Sequence, residues 1–106
     1  MIKVVKFGGS SLADAVQIKK AGKIVLSDET RRYVVPSAPG KRFPDDTKVT
    51  DMLYRCYDEV AVQGKDFTEA FAPIRERYNG IISDLGLTLN LDEEFAKIGE
   101  NFKAAV

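Results

Sequence analysis

The sequence contains no histidine and a single cysteine, and these two scarcities exclude several kinds of site. The usual zinc sites are built from histidine and cysteine ligands, and Ser-His or Cys-His nucleophile pairs need a histidine as general base. One cysteine cannot form a disulfide within the chain. Cys56 lies on the apolar stripe of a predicted helix, so we expect it to be a small core residue.

The sequence also lacks net charge and long apolar runs. Sixteen Lys and Arg residues balance sixteen Asp and Glu residues, so no overall field would attract nucleic acid or an anionic membrane. No run of ~18 apolar residues could span a membrane, and the N-terminus has no signal-peptide pattern. We therefore expect a cytoplasmic globular protein that binds neither nucleic acid nor membranes.

Two short runs rich in branched apolar residues predict β-strands. They are IKVVKF at residues 2–7 and RRYVVPSA at residues 31–38, and the segment between them has an apolar face at helical spacing up to about Leu26. Strand, helix and strand in this order predict a parallel βαβ unit over residues 2–38. The predicted class is α/β.

Polar residues mark where the helices should begin. Ser10 or Ser11 can cap the first helix, with Asp14 favourably placed in its first turn. Asp66 should begin another helix, and Asn90 should cap the last one.

Residues 48–105 are predicted to be helical, with apolar stripes throughout, although Pro73 should kink or restart a helix. Three amphipathic helices offer more apolar surface than two strands can cover, and parallel sheets normally have more strands and cover on both faces. We therefore expect the chain to be incomplete or to pack against a partner.

Two adjacent glycines follow the first predicted strand. Gly8 and Gly9 would let a phosphate approach the backbone closely, and Lys6 would add a positive charge. In a parallel sheet the loop PSAPGKR, which follows the second strand, opens at the same edge, where ligands of such sheets bind. The alternative is a tight turn in which the glycines satisfy only backbone geometry.

Three segments in order, VVKFGGSSLAD, VVPSAPG and VTDML, resemble the N-terminal part of aspartokinases in the amino acid kinase superfamily. The resemblance implies a three-layer, carbamate kinase-like α/β fold with a mainly parallel sheet, incomplete in this chain. Residues 1–106 would be the N-terminal portion of the catalytic domain, without its C-terminal half or its ACT regulatory domains.

The resemblance also implies an activity, namely transfer of the γ-phosphoryl group of ATP to the β-carboxylate of L-aspartate, with ATP and Mg²⁺ required. The product, 4-phospho-L-aspartate, leads to lysine, threonine and methionine. The full-length enzyme would be a homo-oligomer, and the isolated chain is expected to be inactive because half a site cannot align ATP and exclude water.

The site residues follow from the same resemblance, which gives Lys6 the catalytic role of bridging the phosphates during transfer. The residues implied to bind the ATP phosphates are Lys6, Phe7, Gly8, Gly9, Ser10 and Ser37. Those implied to bind aspartate are Thr47, Thr50 and Asp51, and either threonine could make the contact. The loop from Lys41 to Lys48 is longer than the most compact family pattern. No side chain is identified as a metal ligand.

Two alternatives stay open. The chain could belong to another amino acid kinase, acting on glutamate, acetylglutamate or carbamate. It could instead be a non-catalytic anion-binding module that docks on a partner through exposed apolar helix faces.

Overall fold

The computed structural model describes residues 1–105, and the chain divides into a first compact unit, Met1–Thr50, and a second one that begins at Asp51. The elements in order are strand β1 (Lys3–Phe7), a 3-10 turn (Gly9–Leu12), helix α1 (Ala15–Leu26), strand β2 (Arg31–Pro36), helix α2 (Val49–Tyr57), a π-helical turn (Asp58–Val62), helix α3 (Phe67–Asp84) and helix α4 (Asp92–Ala105).

The predicted α/β class with parallel strands is confirmed. Strands β1 and β2 pair in parallel, with Lys3 opposite Arg31 and Phe7 opposite Pro36. Strand β2 ends two residues earlier than predicted. The last bond between the two segments lies just beyond Pro36, where the N–H of Ser37 donates to the carbonyl of Phe7 at 3.1 Å.

The predicted cap of helix α1 was wrong. Asp14, rather than Ser10 or Ser11, is the N-cap, and its Oδ1 accepts a hydrogen bond from the Gln17 N–H at 2.9 Å. The serines lie in the preceding 3-10 turn, in which the Ser11 N–H donates to the Gly8 carbonyl at 3.1 Å. Because the serines lie inside this turn, they come too early to cap a helix that begins at Ala15, and Asp14, directly before the helix, is the N-cap.

The later helix boundaries agree with the sequence in part. Asp66 caps α3 as predicted, accepting from the Glu69 N–H at 3.3 Å. The Asn90 side chain accepts a hydrogen bond from the N–H of Asp92, the first residue of α4, at 2.8 Å. Asn90 thus bonds the start of the helix but lies two residues before it. Helix α3 does not restart at Pro73, which lies inside its continuous span.

The core of the second unit is aromatic. Phe71 and Ile74 are 1% and 2% exposed, and Phe71 packs edge-on against Phe95 with ring centroids 5.4 Å apart. Cys56 belongs to this cluster and is fully buried, which confirms its predicted core position. Burial raises the pKa of the Cys56 thiol, so it stays protonated and unreactive near neutral pH.

The sheet of the first unit leaves apolar side chains exposed on both strands. Val4 is 68% exposed, Tyr33 61% and Val35 50%. This is the surface for which the sequence predicts additional cover. None of the helices among residues 1–105 is long and apolar enough to cross a membrane.

Candidate functional site

The loops that leave β1 and β2 meet at one edge of the sheet. Because the strands are parallel, both carboxyl ends lie at that edge. The N–H of Gly40 donates to the carbonyl of Gly9 at 2.8 Å. Closer to the strands, the N–H of Ser37 donates to the carbonyl of Phe7. The structure thus brings together the two glycine-bearing loops that the sequence assigns to one crevice.

Gly9 and Gly40 are in direct backbone contact. A Cβ on Gly40 would lie 2.5 Å from the Gly9 carbonyl carbon and 2.8 Å from its oxygen, and a Cβ on Gly9 would lie 3.1 Å from Gly40 Cα. Separations under 3 Å are not seen for real Cβ atoms, so residue 40 must be glycine if the loops are to keep this distance. Gly40 had no predicted role of its own, although an isolated glycine after a strand often marks a close backbone approach.

Gly8 differs from its neighbour. A Cβ there would meet nothing within 4 Å, and its backbone is extended, at φ −75° and ψ 171°. Any residue adopts that conformation without strain. The tight-turn alternative therefore accounts for Gly9, which packs against Gly40, and leaves Gly8 unexplained.

Two N–H groups that follow Gly8 are available as hydrogen-bond donors. Among residues 1–105 the N–H groups of Gly9 and Ser10 donate to no protein acceptor, as is usual for the first amides of a helical turn. The Ser10 and Ser37 side chains are exposed. These donors can bind an anion at the sheet edge.

Lys6 lies two residues before Gly8 on β1. Exposure alternates along the strand, so Lys6 shares the exposed face with Val4 while Val5 and Phe7 are partly buried. Within residues 1–105 the Lys6 ammonium group forms no ion pair. The side chain of Phe7 points away from that face, and its carbonyl holds Ser37. The ligand-binding roles of both residues stay predictions.

The three residues expected to contact aspartate lie at or before the start of α2. Val49, the first residue of this helix, is 1% exposed, and its N–H donates to the Pro39 carbonyl at 3.0 Å. Thr50 and Asp51 follow in the first turn and are exposed, whereas Thr47 is partly buried ahead of the helix. Their roles also stay predictions.

A charged pair closes the loop between Gly40 and α2. Arg42 donates to Asp46 through its backbone N–H at 3.0 Å, through Nε at 2.6 Å and through Nη2 at 2.9 Å. These bonds hold the pKa of the Asp46 carboxyl well below its usual range. The pair was not predicted from the sequence, although opposite charges four residues apart across Pro44 are a usable signal for a closed turn.

Two ion pairs in the first unit predict how its stability depends on pH. Lys3 Nζ lies 2.8 Å from Asp28 Oδ2, and the bonds from Lys3 and Thr30 hold the pKa of Asp28 well below its usual range, as Arg42 does for Asp46. A carboxyl with a lowered folded-state pKa stabilises the fold above its unfolded pKa of about 3.9, and this contribution is lost as pH falls below that value.

We therefore expect the free energy of unfolding, measured by urea titration, to show no loss from these pairs between pH 7 and pH 5 and a modest loss below about pH 4, because both pairs are partly exposed to solvent. In the double variant Asp28→Asn/Asp46→Asn the loss below pH 4 should be smaller. An equal acid response of the variant and the parent chain would contradict this assignment.

The chain matches known proteins over most of its length, although no family model matches it. Aspartokinase 3 of Bacillus subtilis (strain 168) is 45% identical over 93 residues, which are 88% of this chain and 20% of that relative. A crystal structure of aspartate kinase from Clostridium acetobutylicum is similar with a TM-score of 0.86 and 44% identity, over 95% of this chain and 23% of that one. The chain thus spans about a fifth of the length of these relatives.

Proposed function

Since this chain belongs to the aspartate kinase family and has part of its fold, we propose that it supplies half of a site that phosphorylates L-aspartate. In that site the γ-phosphoryl group of ATP passes to the β-carboxylate and gives 4-phospho-L-aspartate. The observation that carries the proposal is Gly8, a glycine that neither backbone strain nor packing demands. A bound phosphate at this position would explain it.

The donor half of the proposed site lies at the carboxyl end of β1. Phosphoryl transfer depends on positioning and on neutralising the negative charge that spreads over the transferred group. The exposed ammonium of Lys6 supplies positive charge, and the N–H groups of Gly9 and Ser10 supply hydrogen bonds without reorganisation. The Ser10 and Ser37 hydroxyls can donate to phosphate oxygens at the same edge.

The acceptor half of the proposed site uses Thr47 or Thr50 together with Asp51. A threonine hydroxyl can donate to a substrate carboxylate, and the Asp51 carboxylate can accept from an α-ammonium group. For Asp51 the simpler role is a favourable charge in the first turn of α2.

An ammonium group and backbone amides fit phosphate oxygens and would repel a metal cation. Magnesium would therefore enter with ATP, and when bound it would neutralise charge on the phosphates. As further parts of the proposal, the complete enzyme is cytoplasmic, forms homo-oligomers and serves the synthesis of lysine, threonine and methionine.

The experiment that tests the proposal is a chimera, defined as B. subtilis aspartokinase 3 with its matching segment replaced by residues 1–106 of this chain. We expect ADP formation that requires L-aspartate and MgATP, with the unaltered B. subtilis enzyme as the positive control. The matched negative control is the same enzyme with the segment deleted.

A substrate panel decides between the alternatives. Preference for glutamate, acetylglutamate or carbamate over aspartate would point to another amino acid kinase. A folded chimera with no turnover of any acceptor would instead favour the non-catalytic anion-binding module, and would contradict the proposed function.

A further inference from the structure

Lys41 directly follows the glycine that holds the second loop against the first. The Gly40 N–H donates to the Gly9 carbonyl at 2.8 Å, and a Cβ on Gly40 would lie 2.5 Å from the Gly9 carbonyl carbon. On the other side of Lys41, the Arg42 N–H donates to Asp46 Oδ2 at 3.0 Å. Both neighbours of Lys41 are therefore held by hydrogen bonds, which fixes its backbone close to Gly9.

The side chain of Lys41 can reach the amides proposed to bind phosphate. The Ser10 nitrogen is close to this contact, since a Cβ on Gly40 would lie 2.8 Å from it. Consecutive Cα atoms are about 3.8 Å apart, so Lys41 begins one residue away from the point where Gly40 meets Gly9 and Ser10. A lysine carries its ammonium group on a flexible four-carbon stem, which is long enough to cover that distance.

The positive charge of Lys41 is not neutralised by a neighbouring carboxylate. The guanidinium of the next residue, Arg42, donates to both carboxylate oxygens of Asp46, at 2.6 Å and 2.9 Å, and lies 5.6 Å from the centre of the Phe43 ring. Lys41 is exposed, and its ammonium forms no ion pair with any residue up to position 105. Its charge is therefore available to a ligand, whereas that of Arg42 is not.

We propose that Lys41 is a second lysine, besides Lys6, that binds the phosphate chain of ATP at the sheet edge. The inference rests on the proposed function, which places the phosphates at the Gly9 and Ser10 amides. MgATP stays negatively charged after magnesium has bound, and one ammonium group neutralises only part of that charge. Lys41 holds the phosphates both before and during transfer, so it contributes to the affinity for ATP rather than to the rate of the chemical step.

The test measures the chimera carrying Lys41→Ala or Lys41→Arg. We expect KM for MgATP to rise roughly tenfold in Lys41→Ala, which loses one hydrogen bond to a charged group. KM for aspartate should change less than about twofold, as for a surface substitution outside its site. Lys41→Arg keeps the positive charge and should restore most of the affinity for MgATP.

The matched control is Lys48→Ala, which removes an exposed lysine at the other end of the loop from Lys41 to Lys48. The residue after it, Val49, is bonded to Pro39 rather than to Gly9. KM for MgATP should therefore change less than about twofold in this control. An equal rise of KM for MgATP in Lys41→Ala and Lys48→Ala, or unchanged MgATP kinetics in Lys41→Ala, would overturn the proposal.

A binding measurement separates this inference from the proposed function. Should the unmodified chimera fail to phosphorylate aspartate, the proposed function falls, and calorimetry of inorganic tripolyphosphate with the 106-residue chain decides the role of Lys41. We expect the Lys41→Ala chain to bind tripolyphosphate roughly tenfold more weakly than the parent chain. Equal affinities, or no binding to the parent chain, would contradict the role given to Lys41.

Discussion

Replacing Lys6 by alanine in the chimera should lower kcat for aspartate phosphorylation by about 10²–10³-fold, the usual effect of removing one group that stabilises charge in a transition state. Lys6 is exposed, lies two residues before Gly8, and within residues 1–105 its ammonium forms no ion pair that would neutralise it. Its charge is therefore available to the transferring phosphoryl group. KM for MgATP should change much less than kcat, because the charge to be stabilised is greatest during transfer.

Lys20→Ala is the matched control for this variant. Lys20 is an exposed lysine of α1 and has no place in the proposed site, so the control should keep the parent kcat. Steady-state kinetics of both variants at saturating aspartate make the comparison. If Lys6→Ala retained the kcat of the control, the catalytic role given to Lys6 would be wrong.

Substitution of the two loop glycines should affect different properties, namely the MgATP kinetics at Gly8 and the stability at Gly40. Gly8→Val adds a side chain to open space in an ordinary extended conformation, so stability should stay within about 0.5 kcal/mol of the parent. The same side chain would fill the space proposed for phosphate, and kcat/KM for MgATP should fall on the order of 10²-fold. Gly40→Ala should destabilise the chain by about 1–3 kcal/mol, because its Cβ cannot fit against Gly9.

Gly22→Ala separates these effects from the general effect of losing a glycine. Gly22 lies inside α1, where an added Cβ would meet nothing within 4 Å, so alanine should stabilise the helix by up to about 1 kcal/mol. Thermal unfolding of all three variants, combined with MgATP kinetics, gives the comparison. A Gly8→Val variant with unchanged MgATP kinetics would remove the observation on which the phosphate site depends.

The fold could be predicted where local chemistry decides it. Branched apolar runs at either side of one helix determine the parallel pair β1 and β2, and Asp66 caps α3 because a carboxylate three residues before a free N–H is a local signal. The prediction of the α1 cap was wrong because Ser10, Ser11 and Asp14 are all residue types that cap helices well. The choice among them depends on the 3-10 turn that precedes the helix.

The position of the candidate site at the sheet edge could be predicted from the sequence, whereas most of its individual contacts could not. Parallel strands put the loops containing Gly9 and Gly40 at one edge, so their proximity followed from topology. The distance between them did not, since a backbone contact of this kind depends on the path of both loops. The bonds between Arg42 and Asp46 could not be predicted, because opposite charges four residues apart across Pro44 indicate a closed turn but not which atoms meet.

The most direct test of the central claim is the initial rate of L-aspartate-dependent ADP formation by the chimera, measured beside its Lys6→Ala variant. The account predicts a clear aspartate-dependent rate for the chimera and its near-complete loss in the variant. A folded chimera whose ADP formation is independent of aspartate, or equal in the two proteins, would contradict it.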